Sequence, residues 1–121
     1  MNSPEQAYQF EDIARSYDLA VEKGTVRRGT ADPEVQSRLS DLGNLIGIIM
    51  RQEGVNSRSL AMSAGVKQDD VIAIRYGVET LQKTRENLPR IALALGIHSE
   101  QVDLSILQVV WPEHPRGWLI P

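Results

Sequence analysis

Cysteine is absent from this chain of 121 residues. Its absence excludes a disulfide scaffold and any thiolate metal site, and fits a reducing cytoplasm. Also lacking is an uninterrupted apolar run of the ~18 residues that a membrane-spanning helix requires. The N-terminal segment carries Glu5, Glu11 and Asp12 where a signal peptide would carry positive charge. A soluble, cytoplasmic protein with no membrane partner is expected. Positive charge is scarce as well: the net charge is −3, so the overall basic signature of a nucleic-acid binder is missing. No phosphate loop, nucleophile elbow or paired carboxylate site is present. His98 and His114 stand sixteen residues apart without an acid cluster or a cysteine nearby, which makes surface or capping roles the expectation and a metal site not. No enzymatic activity and no cofactor are therefore expected.

The length suits one domain, a helical core with appendages. Residues 1–31 read as an N-terminal helix and connector. Ser3 is placed as N-cap, Pro4 at the first helical position and Gln6 to complete a capping box. Phe10, Ile13, Ala14, Tyr17, Ala20 and Val21 then recur at helical spacing up to the Lys23-Gly24 stop, which predicts an amphipathic helix of about five turns with that stripe as its buried face. Residues 25–31 read as a connector.

Residues 32–111 read as the main domain. Asp32-Pro33 starts a helix in which Val35, Leu39, Leu42, Ile46 and Ile49 form one stripe that runs to Gly54. Leu45 and Ile48 lie off that stripe, so the helix is expected to be covered on two sides, one of them by the N-terminal helix or a partner chain. Gly43 and Gly47 each cost ~1 kcal/mol in helix propensity relative to Ala. Such a cost is explained by the close approach of another backbone, or by tolerance at the surface. Pro89 is a poor residue for a helix interior, so Asn87 is expected to cap a helix starting at Leu88, leaving Lys83 and Arg85 in a long loop. Ser99 is expected to cap a further helix containing Leu104, Leu107, Val110 and Trp111, with Pro112 ending it. Residues 112–121 read as an extended apolar tail carrying Trp118, Leu119 and Ile120.

The most informative stretch is residues 54–77. Asn56 is placed to cap a short helix whose buried face is Leu60, Ala61 and Ala64. Gly65 can take the left-handed conformation that ends it, and Val66 plugs the corner. Lys67 opens a second helix with Val71 and Ile74 inward and Gln68, Asp69, Ile72 and Ala73 outward, ending at Gly77. The joint spacing of Leu60, Ala61, Gly65, Val66, Val71, Ile74 and Gly77 resembles the helix-turn-helix of the phage-repressor (Cro/C1, or XRE) family, and Ile91 to Ile97 looks like that family's fourth helix. The resemblance covers residues 40–104. It implies an all-α fold: a lambda-repressor-like helix-turn-helix bundle, here with an added N-terminal amphipathic helix and an extended C-terminal tail.

What the resemblance implies about function is sequence-specific binding to double-stranded DNA by a transcriptional regulator or repressor, acting as a homodimer. In that docking mode the second helix enters the major groove, and the partner helix offers its N-terminus to a phosphate. The base-facing positions fall on Gln68, Asp69, Ile72 and Ala73; Asn56, Ser57, Arg58, Lys67, Lys83 and Arg85 fall at phosphate positions. Gln68 could pair with adenine, Asp69 could accept from cytosine N4, and Ile72 or Ala73 could touch thymine methyls. Asp69 and Asp70 also suit the helix dipole, which is a purely structural role. The outward Ile72 fits a protein-binding face as well as a groove. The chain departs from the family pattern at Ser57 and Arg75, where relatives often carry glutamine and glutamate. A dimer interface is expected from Leu104, Leu107, Val110, Trp111 and Trp118. Two other functions remain open: a DNA-binding antitoxin, with the N-terminal helix or the tail as the segment that binds its protein partner, and a helix-turn-helix used only for protein assembly.

Overall fold

Asp32 and Pro33 begin the longest helix of the chain, and the reason is local. The Asp32 carboxylate accepts from the Glu34 backbone N–H at 2.8 Å, and Pro33 sits at the first helical position, where a missing N–H costs nothing. The computed structural model describes residues 4–23 and 32–112, with side chains described from Phe10 onward except that of Ser99. Within these residues the fold is all-helical. The elements are α1 (Pro4–Lys23), α2 (Pro33–Glu53), α3 (Ser57–Ala64), α4 (Gln68–Arg75), α5 (Leu81–Leu95), a 3-10 turn (Ser99–Gln101) and α6 (Leu104–Val110). Ser3, the connector 25–31 and the tail with His114, Trp118, Leu119 and Ile120 lie outside the described residues.

One core joins α2 to α6. Leu42, Ile46 and Met50 of α2 meet Leu60 of α3, Val71 and Ile74 of α4, Leu88 and Ile91 of α5, and Leu107 and Val110 of α6. Each such side chain contributes on the order of 1.5–3 kcal/mol by leaving water. The α2 helix packs against α4, α5 and α6. Of the second side expected to be covered, Leu45 is partly buried against this core, whereas Ile48 keeps 46% of its surface exposed. The α1 helix lies instead on α4. There Leu19 forms a second, smaller apolar cluster with Ile72 and Ala73, flanked by Tyr76 and Val78.

Two expectations about helix starts are corrected. Thr80, not Asn87, caps the helix that holds Pro89: its hydroxyl accepts from the Lys83 N–H at 3.2 Å, and α5 runs through Pro89 to Leu95. Burial explains this override. Thr84, Leu88, Ile91 and Ala92 are buried on one side of α5, and that packing outweighs the single hydrogen bond the proline removes. Lys83 and Arg85 thus lie on a helix, not in a loop. Likewise Ser99 opens only a 3-10 turn, and Asp103 caps α6 by accepting from the Ser105 N–H at 2.8 Å.

The α1 helix runs to Lys23 as the sequence predicts, but it docks by a different face, which shares only Ala20 as a buried residue with the expected stripe. Phe10, Ile13 and Tyr17 are exposed, at 63%, 53% and 62% of their surface, while Asp12, Ser16, Leu19 and Ala20 are buried. The face chosen is the one whose charges match α4.

Candidate nucleic-acid interface and the helix that covers it

The geometry of α3 and α4 follows from their ends. The Asn56 side chain accepts from the Ser59 N–H at 2.8 Å, and the Ser59 hydroxyl accepts from the Asn56 N–H at 3.1 Å, a reciprocal capping box. Gly65 then takes φ 69°, a left-handed conformation that other residues adopt only with strain. Its position lets Val66 turn the chain into α4. Lys67 provides no side-chain cap; Asp69 and Asp70 in the first turn compensate the helix dipole instead. Val71 and Ile74 face the main core, so Gln68, Asp69, Ile72 and Ala73 fall on other sides of the helix.

The candidate base-facing residues do not share one environment. Gln68 is exposed and Asp69 partly covered, whereas Ile72 and Ala73 are fully buried, contrary to the open face that was expected. Leu19 of α1 covers both. Among the candidate phosphate residues, Arg58 and Lys67 are exposed; Ser57 is buried, and the Asn56 side chain is taken up by its cap. Lys83 is exposed and pairs with Glu86 at 3.6 Å. Arg85 donates to the carbonyls of Val110 and Val109, so it closes the end of α6.

Three polar contacts fasten α1 over this surface. Arg15 grips Asp69 through two hydrogen bonds, of 3.1 and 2.7 Å. The Ser57 hydroxyl donates to the Asp12 carboxylate, which also faces the Arg75 guanidinium at 3.4 Å. Lys23 reaches Glu79, just beyond α4, at 2.6 Å; Glu79 also accepts from the Thr80 N–H at 2.9 Å. The Arg75 guanidinium lies 5.1 Å from the center of the Tyr76 ring. Burial pushes the Asp12 carboxyl above the usual aspartate range, against the lowering influence of Ser57 and Arg75, and the Glu11 charge adds to the rise. Asp69 is held below that range by its hydrogen bond to Arg15.

No family model matches the chain, and comparison with curated proteins and with solved structures finds no match. The likeness to the phage-repressor family therefore stands on the residues of the motif alone.

The expected dimer surface is largely interior. Leu107 and Val110 are fully buried in the core of the single chain, and Trp111 is packed against it; among the described residues of the expected set, Leu104 keeps the substantial exposure, at 43%. The reason is that α6 inserts between α2 and α5, where its apolar residues have neighbours on more than one side. His98 is exposed, and its backbone N–H donates to Gln101 at 2.7 Å. Asp12, Arg15, Leu19, Lys23, Arg75 and Glu79 were not singled out as site residues from sequence. The one available signal was Ile72, an apolar residue turned away from the core, which something must cover.

Proposed function

We propose that the chain is a DNA-binding transcriptional regulator that reads double-stranded DNA with α4 and holds phosphates with the N-terminal end of α3 and with Arg58 and Lys67. The observation that carries this reading is the α3–α4 unit: a capped eight-residue helix, a left-handed glycine and a second eight-residue helix that turns Val71 and Ile74 into the core. Gln68 and Lys67 remain exposed at the start of α4, where a groove-reading helix makes its contacts. A single module touches few base pairs, so a homodimer belongs to the proposal. Its interface does not involve the buried Leu107 and Val110.

Selection of duplexes from a random pool, followed by Lys67→Ala and Gln68→Ala, tests the reading. Loss of a phosphate contact weakens all sequences alike and reduces the salt slope by about one, whereas loss of a base contact costs ~1–3 kcal/mol at one base pair. Identical effects of both variants on every duplex would reject the assignment.

A second reading, a helix-turn-helix used for protein assembly, is favoured by one observation: Ile72 and Ala73 already bind an α-helix through Leu19. Failure of the chain to enrich any duplex at low salt, with α1 released, would select it. The antitoxin alternative shares the DNA surface and is distinguished by a toxin that co-purifies with the chain.

A further inference from the structure

We infer that α1 is an intramolecular cover that competes with DNA for the α3–α4 face, occupying with its own side chains the contacts that DNA would make. The inference rests on the DNA-binding reading and adds its regulation. Three substitutions of protein for DNA carry it. The Asp12 carboxylate takes the Ser57 hydroxyl at the start of α3, where the resemblance puts a phosphate oxygen. The Arg15 guanidinium donates to Asp69, where a cytosine amino group would donate. Leu19 rests on Ile72 and Ala73, where a thymine methyl would sit. An anion, a donor and an apolar group each stand opposite the α3–α4 residue that suits them, and two occupants cannot share that space.

The way α1 is held makes it removable. It buries one leucine, one alanine and a set of polar groups, and leaves Phe10, Ile13 and Tyr17 in solvent. A permanently fixed helix would bury its apolar stripe, since area removed from water is the dominant attraction between helices. The Arg15–Asp69 pair is partly exposed, with side chains at 38% and 46%, and such pairs hold weakly; Asp12–Arg75 and Lys23–Glu79 are more buried, and there the cost of taking both charges from water offsets much of their attraction. The main core runs from Leu39 to Val110 and, among the described side chains, contains none from α1, so the described part of α1 can leave without opening it. Charge acts in the same direction: α1 carries five acids and two bases, so approaching phosphates repel it as they are attracted to Lys67 and Arg58.

The test uses the full chain with Arg15→Ala and Leu19→Ala combined. Amide hydrogen exchange reports the cover, and fluorescence anisotropy with a duplex enriched on the variant reports DNA affinity. The expected result is faster exchange across α1 with unchanged protection from α2 to α6, together with DNA binding about tenfold tighter, because the apparent Kd is the intrinsic Kd divided by the fraction of molecules that are open, and the variant raises that fraction. Where the variant does not fold, the natural chain decides by itself: saturating duplex must deprotect the amides of α1, as the reciprocity of linked equilibria requires. Faster α1 exchange with unchanged affinity, or α1 amides still protected in the DNA complex, overturns the cover and leaves DNA binding standing. Unchanged exchange in a folded variant also overturns it, since these contacts then do not hold the helix. Absence of binding to any duplex by either protein removes the DNA reading and the cover with it.

Discussion

Gly43 of α2 faces the backbone carbonyl of Arg75 at the end of α4 with no room for a side chain. A Cβ at Gly43 would lie 2.8 Å from the Arg75 carbonyl carbon and 2.7 Å from the Ile74 carbonyl oxygen. The contact fixes how closely α4 lies against α2, and so where its outer residues are presented.

Two opposed effects decide what Gly43→Ala does. Alanine is the better helix former by ~1 kcal/mol. The clash is with backbone, which has no rotamer to retreat into, and overpacking of that kind costs about 1–3 kcal/mol or more. Net destabilisation is expected, read as a lower urea midpoint. Gly47 is the internal control. A Cβ there would meet only the Arg75 side chain, at 3.4 Å from Nε, so Gly47→Ala is expected to be neutral or stabilising by up to ~1 kcal/mol. Equal losses from both variants would show that the Arg75 carbonyl is not the obstacle.

Pro89 lies inside α5, where it removes one hydrogen bond and crowds the carbonyl four residues before it. Intrinsic propensity favours alanine over proline by ~3 kcal/mol in a helix interior. The stiffer unfolded chain that proline confers recovers only about 0.4–1 kcal/mol. Pro89→Ala is therefore expected to stabilise the fold by about 2 kcal/mol, measured by denaturant unfolding. A destabilised variant would mean that the core needs a bend at this position.

The elements legible in the sequence are those specified by chemistry a few residues long. Asn56 with Ser59, Gly65, and Asp32 with Pro33 each satisfy backbone groups in their own turn, so nothing distant overrules them. Pro89 was misjudged because the burial of Leu88 and Ile91, to which distant residues contribute, outweighs its local preference. The docking face of α1 was hidden for a related reason. Periodicity identifies Phe10, Ile13 and Tyr17 as the apolar side, but the helix follows Asp69, Ser57 and Glu79, which stand forty-five or more residues away in the chain. Charge partners at that separation leave no periodic mark. Ile72 alone, outward and apolar, marked the face as one that fits a protein as well as a DNA groove.

Glu79 and Lys23 form a largely buried ion pair, with 1% and 20% of their side chains exposed. One Glu79 oxygen, Oε2, is buried without a hydrogen-bond partner. Removing the cation alone leaves a carboxylate in an apolar surrounding, a change of about 3 kcal/mol when burial is complete. Lys23→Met is accordingly expected to destabilise the chain more than Glu79→Gln, which removes the charge while an amide oxygen can still accept from the Thr80 N–H. Urea unfolding of the two variants and of the double variant gives the order. A Glu79→Gln loss equal to or larger than that of Lys23→Met would contradict it.

Acid should first tighten and then loosen the hold of α1. The Asp12 carboxyl sits above the ordinary aspartate range because burial disfavours its charge, and Glu11 opposes that charge as well. Docking therefore binds a proton at Asp12, and the helix holds better as pH falls from neutral toward the ordinary aspartate value of ~4. Asp69 behaves in the opposite sense. Its carboxyl is held low by the hydrogen bond to Arg15, with Arg15, Lys23 and Lys67 attracting the charged form. Its contribution is present above the ordinary value and is lost as pH falls below it. The two together predict maximal protection of α1 in mildly acidic solution, with looser helices at neutral pH and at strongly acidic pH. Hydrogen exchange of α1 amides, corrected for the intrinsic pH dependence of exchange, measures this directly. Asp12→Asn should abolish the tightening between neutral and mildly acidic pH and preserve the loss below ~4. A variant that keeps the full tightening would assign it to a group other than Asp12.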